Sequence, residues 1–146
     1  MNSSDNMENV SRLDTILERL VRIMKTRSEP IGLTTTQFFV LRYLDFTQQA
    51  KSSDLARIAG LSPGAITQVC DELVRLGFVE RVRSKEDRRV VFVELTEAGR
   101  SKLKAILSQR AIRLGQLMDK LGAEDANRLI ELLERLVGIL NAESKS

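Results

Sequence analysis

From Val10 to Met24 the chain places an apolar residue every three or four positions: Val10, Leu13, Leu17, Leu20 and Met24, flanked by Ile16 and Val21. That spacing lines one side of a helix and predicts an amphipathic first helix. Pro30 and Gly32 then punctuate the chain. Thr34, Thr35 and Thr36 offer N-cap oxygens for a second helix through Phe38, Val40, Leu41 and Leu44. Gln48 to Lys51 reads as a polar link, after which Ser52 or Ser53 can cap a short third helix carrying Leu55, Ala56 and Ile58. Gly60 breaks that helix. Ser62 is the next N-cap with Pro63 at the first helical position, where a missing N–H costs nothing. A fourth helix follows to about Leu76 on Ile66, Val69, Cys70, Leu73 and Leu76, and Gly77 can take the left-handed stop.

Beyond Gly77 the period changes. Phe78 to Arg83 and Arg89 to Leu95 are β-rich runs joined by the polar stretch Ser84 to Arg88, the pattern of a hairpin. Thr96 caps a long helix to about Leu121, with Leu103, Ile106, Leu107, Leu114, Leu117 and Met118 on one side. At about 1.5 Å per residue it spans roughly 39 Å, more than a small domain needs. Gly122 ends it, and a last helix from about Glu124 to Leu140 carries Leu129, Leu132, Leu133, Leu136, Val137 and Leu140. The ends, Met1 to Asn6 and Ala142 to Ser146, are expected to fray.

Composition narrows the chemistry. The 146 residues hold no histidine, one cysteine and eight glycines. No imidazole base, no Ser-His-Asp triad and no His-Cys zinc site can be built, and neither GxGxxG nor GxxxxGK[ST] occurs. Neither a metal nor a cofactor is expected, nor is an enzyme. The stretch MNSSDNMENVSRLD has acids and no apolar core of a secretory signal, and no apolar run approaches a membrane span. A cytoplasmic protein is the expectation. The net charge is only +3, but Arg81, Arg83, Lys85, Arg88 and Arg89 face just Glu86 and Asp87 within nine residues. So local an excess suggests a localised anion contact; a solvated turn is the other reading.

Leu55 to Leu76 form a unit. Two helices of unequal length meet at Ala59-Gly60-Leu61-Ser62, with small Ala56 where they cross and Leu55, Ile66 and Val69 able to fill the angle. This is either a helix-turn-helix or an ordinary αα-corner. As a helix-turn-helix, its second helix presents Ser62, Gly64, Ala65, Thr67, Gln68 and Asp71, a face small and polar enough for base edges. The basic-tipped hairpin that follows favours the former, because a groove helix followed by such a hairpin is a winged helix. The fold class expected is mainly α with a small β-hairpin wing.

Asp87-Arg88-Arg89, five further residues and then Leu95-Thr96-Glu97-Ala98-Gly99 fit the pattern D-x-R-x5-L-T-x2-G. By it, by Leu33 to Gln37 with Val40-Leu41, and by Leu73 to Val79, the chain resembles the MarR family of bacterial transcription regulators over nearly its whole length. The resemblance implies a winged helix-turn-helix with N- and C-terminal dimerisation helices that binds double-stranded DNA. Arg89 would enter the minor groove with Asp87 holding it, while Arg83, Lys85 and Arg88 would contact phosphates. Ser62, Gly64, Ala65, Thr67 and Gln68 would meet bases or backbone. Many members carry a basic residue where Gln68 stands; a glutamine reading a base pairs naturally with adenine N6/N7.

The first helix and the last two carry stripes that one small winged domain cannot cover, and exposed patches of that size are avoided in monomers. By the resemblance, these helices intertwine two protomers into a homodimer through Leu13, Leu17, Leu20, Leu129, Leu133, Leu136 and Leu140; an intramolecular three-helix bundle is the alternative. The expected division is 1–33 for the N-terminal dimerisation helix, 34–99 for the DNA-binding lobe and 100–146 for the C-terminal dimerisation helices. A twofold dimer implies a pseudo-palindromic operator with half-sites about 10 bp apart. The resemblance further implies a repressor whose small-molecule effector binds between the lobe and the dimerisation helices. A winged-helix protein-interaction module without specific DNA binding is the rival function. Cys70 reads as structural filler, because acidic Asp71 and Glu72 beside it raise a thiol pKa.

Overall fold

The computed structural model describes residues 2–27 and 32–145; Pro30, expected to punctuate the chain, lies outside them. Residues 1–35 and 36–146 form two compact units. The first holds α1 (Ser3–Arg27), an amphipathic helix with Asp5 in its first turn. It begins where fraying was expected. The Asn6 N–H donates to Asn2 O at 3.1 Å, and Asp5 complements the positive end of the helix dipole.

The second unit runs α2 (Thr35–Thr47), β1 (Gln49–Lys51), α3 (Ser52–Ala59), α4 (Pro63–Arg75), β2 (Val79–Arg83), β3 (Val91–Leu95), α5 (Glu97–Leu121) and α6 (Ala123–Ser144). The antiparallel sheet has the order β1-β3-β2. Its β1 corrects the reading of Gln48 to Lys51 as a mere link: Gln49 pairs with Glu94, Ala50 with Val93 and Lys51 with Phe92. Three residues are too few for a period-two signal, so only the buried Ala50 betrays the strand. Gln48, left-handed at φ 72°, turns α2 into it. Because the pairing holds Lys51 extended, α3 starts at once at Ser52. Lys51 occupies the cap position with no side-chain cap, in place of Ser52 or Ser53. At the far end, α6 continues to Ser144, whose hydroxyl donates to Leu140 O, rather than fraying from Ala142.

The core of this unit gathers Val40, Leu41 and Leu44 of α2, Leu55 of α3, Ile66, Cys70 and Leu73 of α4, Val79 and Val93 of the sheet, and Leu103 and Ile106 of α5. Burial of each aliphatic side chain contributes about 1.5–3 kcal/mol. Two contacts also tie α5 to α2: Arg110 lies 5.0 Å above the Phe38 ring, and Arg100 pairs with Asp45 at 3.7 Å. Further along α5 the stripe is uncovered, with Leu114, Leu117, Met118 and Leu121 exposed. Leu13, Leu17 and Leu20 on α1 and Leu129, Leu133, Leu136 and Leu140 on α6 are exposed as well.

Candidate nucleic-acid interface

The α3–α4 turn is set by backbone chemistry. Gly60 stands at φ 66°; its N–H donates to Arg57 O, and the Leu61 N–H donates to Ala56 O at 2.9 Å. That pair of bonds is a Schellman closure, which needs the left-handed conformation glycine allows. Ser62 then starts α4, its Oγ accepting from the Ala65 N–H at 3.2 Å with Pro63 in the first turn. In the packed α3–α4 pair, Leu55, Ala56 and Ile66 are buried and Val69 is half-buried.

Ser62, Gly64, Thr67, Gln68 and Asp71 are exposed on α4, whereas Ala65 is half-buried rather than open. Two of these side chains already have work inside the helix. The Ser62 oxygen caps it, and the Thr67 hydroxyl donates to Pro63 O at 2.8 Å. A Cβ built on Gly64 meets nothing within 4 Å. Its smallness therefore serves nothing in the free lobe, and it leaves backbone open to a close visitor.

A second Schellman closure ends α4: Gly77 at φ 80° donates to Val74 O and the Phe78 N–H to Leu73 O. Here Leu95 to Gly99 explain themselves. The Thr96 N–H donates to Phe78 O and its hydroxyl to Gly77 O, while Thr96 Oγ1 caps α5 by accepting from the Gly99 N–H. A Cβ on Gly99 would stand 1.9 Å from Phe78 O, so only glycine lets α5 approach the turn. That half of the D-x-R-x5-L-T-x2-G pattern is structural; it clamps α5 against the turn that carries the wing.

The other half forms the wing tip. Ser84 Oγ accepts from the N–H groups of Glu86 and Asp87, and Val90 N–H closes the turn onto Asp87 O. Asp87 grips Arg89 with both oxygens: Oδ1 accepts from the backbone N–H and from Nε, each at 3.1 Å, and Oδ2 accepts from Nη2 at 3.2 Å. Arg89 nonetheless stays 90% exposed, so its guanidinium is aimed without being covered. The side-chain bonds from Arg89, then its backbone N–H, hold the Asp87 carboxyl below its ordinary range, with a further push from Lys51. Arg83 donates to Arg88 O at 2.7 Å, and Lys85 and Arg88 are exposed at the tip.

Sequence reasoning missed two features of this face. Lys51 lies on a strand that was read as a link, so its nearness to Asp87 had no sequence signal. Arg81 opens the basic run but pairs with Asp71 of α4 at 2.6 Å; ten residues of separation hide such a pairing. Cys70 is fully buried beneath this face, and burial is the main cause raising its thiol pKa. Arg81 opposes that effect and Asp71 adds to it, so the acidic neighbours invoked from sequence are the lesser cause. Glu72 is engaged with Arg75 instead. Among the described residues, no group of His, Cys, Asp or Glu could hold a metal ion, and no helix is long and apolar enough to cross a membrane.

An α3–α4 helix pair with a polar exposed face, followed by a hairpin with an aimed arginine, defines a winged helix-turn-helix. Residues 17–106 match the family model described as transcriptional regulator SarA/Rot. The chain belongs to this family of MarR-type winged-helix transcription regulators, and is a DNA-binding regulator rather than an enzyme. It is similar to the HTH-type transcriptional regulator YkoM of Bacillus subtilis, 30% identical over 142 residues that cover 92% of each chain. It is also similar to the transcriptional repressor MprA of Escherichia coli, 28% identical over 128 residues, 86% of this chain and 70% of that one. Among solved structures it is similar to a mutant MarR of E. coli complexed with operator DNA, at a TM-score of 0.65 and 25% identity over 93% of this chain and 99% of that one.

Proposed function

We propose that the chain acts in the cytoplasm as a homodimeric repressor of a pseudo-palindromic operator, with α4 in the major groove and the wing tip in the adjacent minor groove. The observation that carries this reading is the Asp87–Arg89 grip. An arginine both aimed and 90% exposed fits a narrow, negative groove, because guanidinium sheds water at low cost. Ser62, Gly64, Ala65, Thr67 and Gln68 meet base edges or backbone, and Arg83, Lys85 and Arg88 meet phosphates. Similarity to a MarR crystallised with operator DNA supports the DNA partner, and similarity to the repressor MprA supports the sign of regulation.

In this reading residues 34–99 are the DNA-binding lobe, and 1–33 and 100–146 supply the dimerisation helices. Leu13, Leu17, Leu20, Leu129, Leu133, Leu136 and Leu140 are the apolar positions that a second protomer covers; their exposure in the single chain supports this. Twofold symmetry sets half-sites about 10 bp apart. A small-molecule effector would release the operator by favouring another spacing of the two α4 helices, and by linkage it must bind free protein more tightly than DNA-bound protein.

The test is fluorescence anisotropy on the DNA upstream of the protein's own gene and on a shuffled duplex, across a salt series. The expected result is tight binding with a clear specific-to-shuffled ratio, largely lost in Arg89→Ala, while Arg83→Ala weakens both duplexes and flattens the salt slope by about one. Equal weak binding to both duplexes, followed by no enrichment in a selection from random DNA, would sink the reading in favour of a protein-interaction module.

A further inference from the structure

Arg81 stands first in the basic run but does not share the geometry of the wing tip. In β2 it lies opposite Val93, which is fully buried, so its side chain leaves the sheet on the face that carries Val79 and Leu95 into the core. From there Nη2 reaches Asp71 Oδ1 at 2.6 Å. Asp71 follows Thr67 by four residues and Gln68 by three, so it continues the exposed stripe of α4 assigned to the groove. The ion pair thus bridges the two elements that must read DNA together. The chain joins them through the turn from Leu76 to Phe78, and Cys70, Leu73, Val79 and Val93 share the core beneath them.

We propose that Arg81 is a positioning residue for DNA reading. It acts through Asp71 to fix the wing relative to α4, and it neutralises an acid on the groove face, without contacting phosphate itself. The inference rests on the DNA-reading function above and goes beyond it. A reader with one part in the major groove and another in the minor groove gains specificity only if the distance between Gln68 and Arg89 is held. A phosphate-contacting cation releases counterions on binding, whereas a cation already paired within the protein does not. The two roles therefore differ in salt dependence. An exposed pair adds little to global stability, so its loss leaves the melting temperature nearly unchanged and appears in reading instead.

The experiment compares wild type, Arg81→Gln, Asp71→Asn, the double variant and Arg83→Gln. Each is titrated against a duplex selected by wild type from random DNA and against its shuffled counterpart, over a salt series. For Arg81→Gln the specific-to-shuffled ratio should fall roughly tenfold, the size of one mismatched base pair, with the salt slope unchanged. Arg83→Gln should lower the slope by about one and weaken both duplexes alike. Because removing Asp71's charge relieves the acid that Arg81 leaves behind, the double variant should bind more tightly than Arg81→Gln alone. In the free protein, residual dipolar couplings of β2 and β3 amides, referenced to those of α4, should shrink in Arg81→Gln. Couplings equal to wild type, a slope lowered by one in Arg81→Gln, or strict additivity in the double variant would each overturn the proposal. Failure of the underlying DNA reading is seen separately, in wild type selecting no sequence, and overturns the positioning role with it.

Discussion

In the first half of α5, Leu103 and Ile106 are 2% and 3% exposed; in the second half, Leu114 and Leu117 are 53% and 50% exposed. The residue types and the spacing are the same. The difference lies in what faces them: Leu103 and Ile106 join the core of α2, α3, α4 and the sheet, while the later residues stand half exposed among the described residues. Burial of an apolar side chain is worth about 1.5–3 kcal/mol wherever the cover comes from. A continuous stripe therefore states that a face must be buried and leaves open who buries it. The lobe answers from within the chain; in our proposal a second protomer answers for the remainder of α5, for α6 and for α1.

That division can be broken most forcefully at Leu133 of α6. A carboxylate there, in Leu133→Asp, sits at a half-exposed position outside the buried core of the lobe. In a homodimer it leaves an unpaired charge in an apolar interface on both sides of the twofold, at about 3–5 kcal/mol for each. The expected outcome is a monomer by sedimentation and loss of operator binding. A variant that remains as dimeric as wild type, or a wild type that is itself monomeric, would refute the covered-by-a-partner reading and favour a bundle within one chain.

Leu103→Ala probes the other side of the comparison. It should destabilise the lobe by about 2–5 kcal/mol through lost burial and the cavity left behind, read by chemical denaturation, and leave the dimer's dissociation constant nearly unchanged. Leu117→Ala should instead weaken dimerisation and make the melting temperature depend more steeply on protein concentration. If the two variants behaved alike, the contrast between the halves of α5 would have no energetic content.

How far this division was legible in the sequence follows from the range of each signal. Local signals were readable. Gly60 and Gly77 announce left-handed helix ends, Ser62-Pro63 announces a helix start, and the period change after Gly77 announces the hairpin. The basic run and Asp87-Arg88-Arg89 pointed to the wing tip. Features made by pairing distant residues were silent. Strand β1 exists because β3 sits beside it, and Lys51 comes near Asp87 only through that pairing. The Arg81–Asp71 bridge joins two elements, so position alone counted Arg81 as one more cation of the basic run. The split of the α5 stripe depends on where the lobe core ends, which periodicity does not encode.

Gly64→Ala sharpens the contrast between covered and uncovered surface at smaller energy. The added methyl meets nothing within 4 Å, and alanine suits a helix better than glycine. The free protein should gain about 0.5 kcal/mol or slightly more in stability. In the proposed docking, operator affinity should fall, because the methyl would occupy the space into which DNA backbone or a base edge approaches. Thermal melts and anisotropy read the two signs separately. A gain in stability with unchanged affinity would remove Gly64 from the interface.

The smallest effect concerns the aimed arginine, and here the sign decides. Asp87 is held below its ordinary value of 3.8, first by the Arg89 side chain and then by the Arg89 backbone N–H. A depressed carboxylate contributes its ion pair in full above the unfolded pKa and loses it as pH falls through the lower, folded value. From pH 8 down to about 5 the carboxylate therefore stays charged, the grip on Arg89 stays closed, and titration of Asp87 should leave specific binding flat across that range. Asp87→Asn keeps an acceptor for Arg89 but removes the charge, and it should lower specific binding by a similar factor at every pH in the range. A step in wild-type binding between pH 5 and 8 that Asp87→Asn abolishes would mean that the carboxylate is protonated far above its ordinary value. The observed two-oxygen contact with Arg89 would then not be what holds the wing tip.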